Sequence, residues 1–327
     1  MMAERYAVAT GLWTAATFNG GTLPTIGDTV HANGYIVTVD QDISVTALST
    51  RAGSVAVAGG YFAPSGNRTI YANCYAGTEV CIRTSNSAPL TTIHGNVYGS
   101  DTATDVYGIY GTGSASSLIV SGNVYGGSIS GGIGIVTTNS AYLTVFGNLY
   151  GGSGLSANGV RIISNGTSVI RGNCYGSATS TTGTGFANAT ASGTMTIYGN
   201  CYGNAAPGAA NSVGSSFSVL GDAIGGDAYS TGGISISGSL GGNIYLYGTA
   251  RSSATGLGPG AYNTSSGSAC IFVQAAEQGA GGGWPIQGKV IFNDLATIAF
   301  GVRNAAGTLK TIGVLPHSSF STPRAFI

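Results

Sequence analysis

The chain has 327 residues, 57 of them Gly, and its 11 Lys+Arg balance 11 Asp+Glu, so only 7% of residues are charged, against about a quarter in an average protein. A disordered chain would be polar and highly charged, and a protein that neutralises phosphates would be basic; disorder and nucleic-acid binding are therefore excluded. Collagen is excluded because the glycines do not fall at every third residue, and no apolar run reaches the ~18–20 residues of a membrane span. The start, Met1-Met2-Ala3-Glu4-Arg5-Tyr6, has no secretory-leader core, and a soluble, neutral, Gly/Ser/Thr-rich β protein is expected.

Residues 1–60 read as an N-terminal cap or attachment region. Trp13 and Phe18 precede a turn-rich entry from Gly20 to Asp28, followed by Thr29-Val30-His31 and the tight-turn pair Asn33-Gly34. Alternating runs, Tyr35 to Asp40 and Ile43 to Leu48, read as strands. The run Ala3-Glu4-Arg5-Tyr6 … Gly11-Leu12-Trp13 … Leu23-Pro24-Thr25-Ile26-Gly27-Asp28-Thr29-Val30 … Val39-Asp40 resembles the N-terminal pattern of tailed-bacteriophage virion proteins. In that family an Arg-Tyr-Trp-Val start leads to Gly-x-Trp and then to Pro-x-x-Gly-Asp-x-Val. Here Ala7 stands in place of the Trp, and Ala16-Thr17-Phe18 in place of a central Trp-Ser. The likeness covers residues 3–50. It implies a β-helical structural component of a fibre, spike or capsid decoration, commonly trimeric, located in the virion, contacting other virion proteins and carrying no transferable catalytic residues.

Residues 61–250 repeat with a period of about 25. Gly-Asn-x-Tyr-Gly or a close variant recurs with its Asn at Asn73, Asn96, Asn123, Asn148, Asn173 and Asn200. Degenerate copies are read at Gly221-Asp222-Ala223-Ile224-Gly225 and Gly238-Ser239-Leu240-Gly241-Gly242. Short alternating runs precede the motif, as in Tyr142-Leu143-Thr144-Val145-Phe146, and second apolar pieces lie midway: Val80-Cys81-Ile82, Ile133 to Val136 and Val160 to Ile163. Several short strands per ~25 residues, joined by Gly-rich corners, describe one coil of an all-β solenoid (β-helix) whose coils stack at ~4.8 Å.

Comparing the copies sorts the positions. The residue before Gly-Asn is His94, Ser121, Phe146, Arg171 or Tyr198, a mixture that fits a solvent-facing site. One residue earlier stand Ile93, Val120, Val145, Ile170 and Ile197, which therefore face inward. The same alternation sends Cys74, Val97, Val124, Leu149, Cys174 and Cys201 inward, so three of the five cysteines act as small buried hydrophobes. An odd count without CxxC spacing argues against a disulfide framework or zinc site, and fits synthesis in a reducing compartment.

The Asn column reads as a structural ladder of amides bonded from coil to coil. Tyr75, Tyr98, Tyr125, Tyr150, Tyr175 and Tyr202 share its face, and three roles fit them: a corner stacked on its own loop, a subunit interface, or a saccharide platform. Glycan cleavage needs two carboxylates, and none lies between Asp105 and Asp222. The pairs left are Asp40/Asp42, Asp101/Asp105 and Asp222/Asp227, each with a local structural reading as turn, corner or ladder residue. His31, His94 and His317 show no metal or catalytic spacing, so neither catalysis nor a cofactor is expected.

Residues 251–327 read as a C-terminal β cap or attachment module. It holds a strand across Trp284 to Phe292, a hairpin around Asn304 to Gly307, and an apolar end from Phe320 to Ile327. The whole is expected to be a non-enzymatic, homo-oligomeric virion structural protein. The alternative is a tailspike-type protein that binds or cleaves a host surface glycan.

Overall fold

The computed structural model describes residues 3–15, 17–85, 90–112, 116–138, 142–163, 166–189, 193–212, 215–227, 231–237, 242–266, 269–277, 285–288, 290–292, 298–303 and 309–315. The expected β-solenoid is what these residues form. Each complete turn contributes three short strands to three parallel ladders, as in Leu90–Ile93, Val97–Tyr98 and Ile109–Gly111. We call these faces one, two and three. The next turn repeats them as Ser117–Val120, Val124–Tyr125 and Ile135–Thr137, with Val120 beside Ile93, Val124 beside Val97 and Ile135 beside Ile109. Face three alone stacks 12 strands, so the rod is on the order of 50 Å long at ~4.8 Å per turn.

The strands are short because glycine bends the chain between faces one and two. Gly122, Gly147 and Gly172 precede the motif Asn, and a Cβ on any of them would sit 2.2 Å from the carbonyl oxygen of the glycine one turn below. Only a bare α-carbon lets successive corners nest at the ladder spacing. Where this motif is absent, faces one and two run together as one longer strand, as in Ile43–Ser49 and Ile244–Arg251; a register shift marks the former corner.

Inward positions make one continuous apolar column per ladder. Ile93, Val120, Val145, Ile170 and Ile197 are fully buried, as are Cys74, Val97, Val124, Leu149, Cys174 and Cys201. His94, Ser121, Phe146, Arg171 and Tyr198 are exposed. All five cysteines are buried, and Cys74, Cys81, Cys174 and Cys201 are free thiols. A second inward column, at the end of face three, is partly polar. There Asn188 donates to Asn211 Oδ1 and to the Ser215 hydroxyl, and Asn263 donates to the Ala269 carbonyl.

The end regions share the ladders. Glu4–Tyr6 pairs in parallel with Thr29–His31, which pairs with Ile43–Ser49, and these extend face two below Tyr75. The Asn33-Gly34 turn forms with both residues at positive φ, but the strands beside it belong to different faces rather than to a hairpin. Trp13 and Phe18 are buried in edge-to-face contact 4.8 Å apart and close the core beside Phe62.

One detail of the repeat differs from expectation. The turn after Asp222 is Gly248-Thr249-Ala250-Arg251, because Ala223 pairs with Ala250 and Ile224 with Arg251. The proposed copy at Gly238–Gly242 falls outside the described residues, apart from Gly242. Trp284 to Phe292 is not one strand: Ile286–Gly288 continues face three, and Val290–Phe292 continues face one. The hairpin pairs Ile298–Arg303 with Leu309–Leu315, while Trp284, its tip at 304–308 and the Phe320–Ile327 end lie outside the described residues.

Replacing Val124 by Asp should cost roughly 3–5 kcal/mol, because a carboxylate there enters an apolar column with no partner. Ser121→Asp should change stability by less than about 0.5 kcal/mol. Urea unfolding of the two variants measures the difference, and equal losses would overturn the inward/outward assignment.

Candidate functional site

The motif residues form two ladders along one edge of face two. In the first, each Asn Oδ1 accepts the backbone N–H of its counterpart one turn on, from Asn73 to Asn96, Asn123, Asn148, Asn173 and Asn200, every bond being 2.8 Å. Asp222 accepts the Thr249 N–H in the same geometry, so a carboxylate serves as one rung. The expected ladder is present, but its bonds run from side chain to backbone, not from amide to amide. The reason is direction: the Asn backbone sits at the corner, where its N–H has no strand partner and needs an acceptor from the turn below. The amide Nδ2 is thereby freed to donate to the hydroxyl of the Tyr two residues on, at 3.0–3.3 Å in five turns.

The second ladder is the tyrosine column. Rings of Tyr75, Tyr98, Tyr125, Tyr150, Tyr175 and Tyr202 stack face to face with centroids 4.5–4.9 Å apart and planes within 6°. Offset stacking at the ladder spacing satisfies the ring quadrupoles, and each pair adds about 0.5–1.5 kcal/mol beyond its buried area. Arg51 lies over the outer face of Tyr75, 5.1 Å from its centroid, and is itself held by Asp101. Ring faces inside the stack are thus occupied by neighbouring rings, and only their edges meet solvent. A saccharide platform requires open faces. The column is a stack running from turn to turn, each ring lying on its neighbour.

The outward column on face one is differently exposed. Tyr71, His94, Ser121, Phe146, Arg171, Tyr198, Leu220 and Tyr247 follow one another turn by turn, with Tyr71, Phe146, Tyr198 and Tyr247 each 46–50% exposed. Tyr71 stacks on His94 at 4.6 Å, and the Arg171 guanidinium sits between Phe146 and Tyr198 at 5.6 and 5.1 Å. On face three Arg83 lies in the same way between Tyr61 and Tyr110. Arginine as a rung in an aromatic ladder was not read from the sequence. The signal available was a cation at a position that carries aromatics in neighbouring copies, as Arg171 does between Phe146 and Tyr198.

Candidate carboxylates are engaged by the fold. Asp40 accepts from the backbone and hydroxyl of Thr14, and Asp42 from the Thr69 N–H. Asp101 binds Arg51 and the Ser128 N–H, while Asp227 accepts from the Thr255 hydroxyl. Asp222 holds the Thr249 N–H and Arg251, which also reaches Glu277. Asp105 adopts a left-handed turn conformation with φ 55°. His31 is buried, 3.8 Å from Glu4 through Nε2, whereas His94 is exposed and touches the Ser121 hydroxyl; His317 lies outside the described residues. Among the described residues no three His, Cys, Asp or Glu side chains converge as a metal site would need. Comparison with known proteins gives no match to a family model, to a characterised relative or to a solved structure.

Removing one Asn tests the ladder. Asn148→Ala leaves the Asn173 N–H without its acceptor and should cost about 1–3 kcal/mol in chemical unfolding. Asn148→Asp, which keeps the acceptor as Asp222 does, should cost less. The tyrosine stack also has a pH signature. Burial, reinforced by Tyr98 and opposed by Arg51, raises the Tyr75 phenol above its ordinary value. A group raised on folding stabilises fully below its unfolded pKa, and that contribution disappears as pH climbs through the folded value. Phenolate absorbance should therefore show Tyr75 titrating later than a free tyrosine, as the Tyr107 phenol, raised by burial, also does, with stability falling at alkaline pH, and Tyr75→Phe should shrink the late component by one phenol.

Proposed function

We propose that the chain is a non-enzymatic structural subunit of a bacteriophage virion, a short fibre, spike or capsid decoration, that works as a homo-oligomer with a trimer favoured. The observation that carries the reading is the exposed column on face one. Tyr71, Phe146, Tyr198, Leu220 and Tyr247 project from a rod with few charges, and they fill five of the eight successive positions of that column, with His94, Ser121 and Arg171 between them. A rod-shaped partner with the same spacing makes one contact per turn against such a stripe, and a second copy of this chain has that spacing by construction. The carboxylates engaged in ladders, corners and ion pairs support a role without acid–base catalysis. The resemblance of residues 3–50 to virion proteins supports the location. No cofactor enters the reading.

The exposed aromatics also favour a second reading, binding or cleavage of a host surface glycan, because their edges and partly open faces are available to sugar rings. Sedimentation velocity on the purified protein separates the two. A stable oligomer that dissociates in Tyr198→Asp, with no reducing ends released from host polysaccharide, is the expected result. A monomer that releases reducing ends, or that is retained by the polysaccharide, would overturn the first reading in favour of the second.

A further inference from the structure

The position just before each face-three strand is Gly in seven successive turns: Gly108, Gly134, Gly159, Gly185, Gly208, Gly233 and Gly260. The reason is steric. A Cβ at Gly108 would lie 2.5 Å from Val97 Cγ1, and one at Gly134 would lie 2.4 Å from Val124 Cγ1; both are the inward side chains of face two in the same turn. At Gly185 and Gly208 the Cβ would meet the face-two backbone at Tyr175 and Tyr202. The turn preceding this series puts a side chain at the position, and it is Cys81; the inward residue it faces on face two is Cys74. Where the next seven turns keep glycine, this one holds two thiols against each other, and a side chain returns to the position only at Pro285.

We propose that Cys74 and Cys81 are a redox modification site, closing to an interior disulfide that ties face two to face three within one turn. Both side chains are fully buried, the Cys81 thiol meets the Cys74 side chain, and its Sγ lies 3.3 Å from the Leu48 carbonyl oxygen. Burial first, and the Cys74 thiol second, push the Cys81 thiol well above its ordinary value, so that thiol stays protonated and reacts slowly. Cys174 and Cys201 also neighbour each other, but across consecutive turns of one ladder, where parallel side chains keep the strand separation. A disulfide needs Cβ atoms ~3.5–4.5 Å apart, closer than that ladder sets them.

A small peroxide supplies the oxidising equivalents. One thiol attacks hydrogen peroxide, forming S–OH and releasing water; the second thiol displaces that hydroxyl, forming S–S and a second water. Two thiols and one peroxide thus give one disulfide and two waters. The folded full-length protein is treated with hydrogen peroxide, denatured, alkylated and mapped. Reduced protein should carry five alkyl groups and oxidised protein three, with Cys174, Cys201 and Cys270 still labelled and the peptide Thr69–Arg83 unlabelled and lighter by two hydrogens. The melting temperature should rise on oxidation, and Cys81→Gly, the residue the following turns use, should abolish that shift. Five labels after oxidation, sulfinic acid on Cys74 or Cys81 without a cross-link, or loss of label from the Cys174–Cys201 pair alone would overturn the proposal.

Discussion

The structure rests on one spacing. Parallel strands bonded turn to turn hold equivalent residues ~4.8 Å apart along the rod, and every column inherits that distance. It suits aromatic rings well, since stacked faces are favourable at 4.5–4.9 Å, and it suits an Asn that must reach the next N–H. Repeating identical side chains is therefore stabilising for Tyr and Asn. It would be repulsive for like charges, which accounts for the near absence of charge from the central turns. The two arginines there, Arg161 and Arg171, have no cation directly above or below them in their columns.

Exceptions to the repeat become informative under such a constraint. Asp222 replaces Asn in the ladder and keeps the acceptor, but its added charge is matched by Arg251 two ladder positions along on the next turn. Arg51 ends the tyrosine stack where Ser49 leaves the last ring uncovered, and Asp101 neutralises it. These two compensated sets sit near where the Gly-Asn-x-Tyr motif begins and ends, whereas Arg83 and Arg171 rest on aromatic rings. Cys81 follows the same logic in the interior, at the position where the next seven turns carry glycine.

Function follows from which surfaces these columns use up. The Tyr75-to-Tyr202 column spends its ring faces on itself, and five of its hydroxyls accept from Asn amides. The Tyr71-to-Tyr247 column lies beside it, half open, with Arg171 threaded through its aromatics. Two aromatic stripes on adjacent faces thus differ in how much ring surface they leave open, and the less open one is the one whose rings are held by an amide two residues away.

Much of this was legible in the sequence because a repeat supplies its own comparison. The 25-residue period, the all-β solenoid, the inward Ile93 and Val124 columns and the outward His94 column follow from copies that differ only where solvent permits. Periodicity within one chain fixes which residues are equivalent and which way each points. It does not fix what an equivalent residue touches. That Asn Oδ1 would bond to backbone rather than to another amide depended on where the corner leaves an unpaired N–H. The rungs after Asp222 shifted to Thr249 because a strand ran through the corner without the Gly-Asn signal. Arg51 over Tyr75, Arg171 between two rings, and Cys81 against Cys74 join residues on different strands or different turns. Such contacts exist only once the chain has coiled, so the sequence determined the columns and the tertiary structure decided their partners.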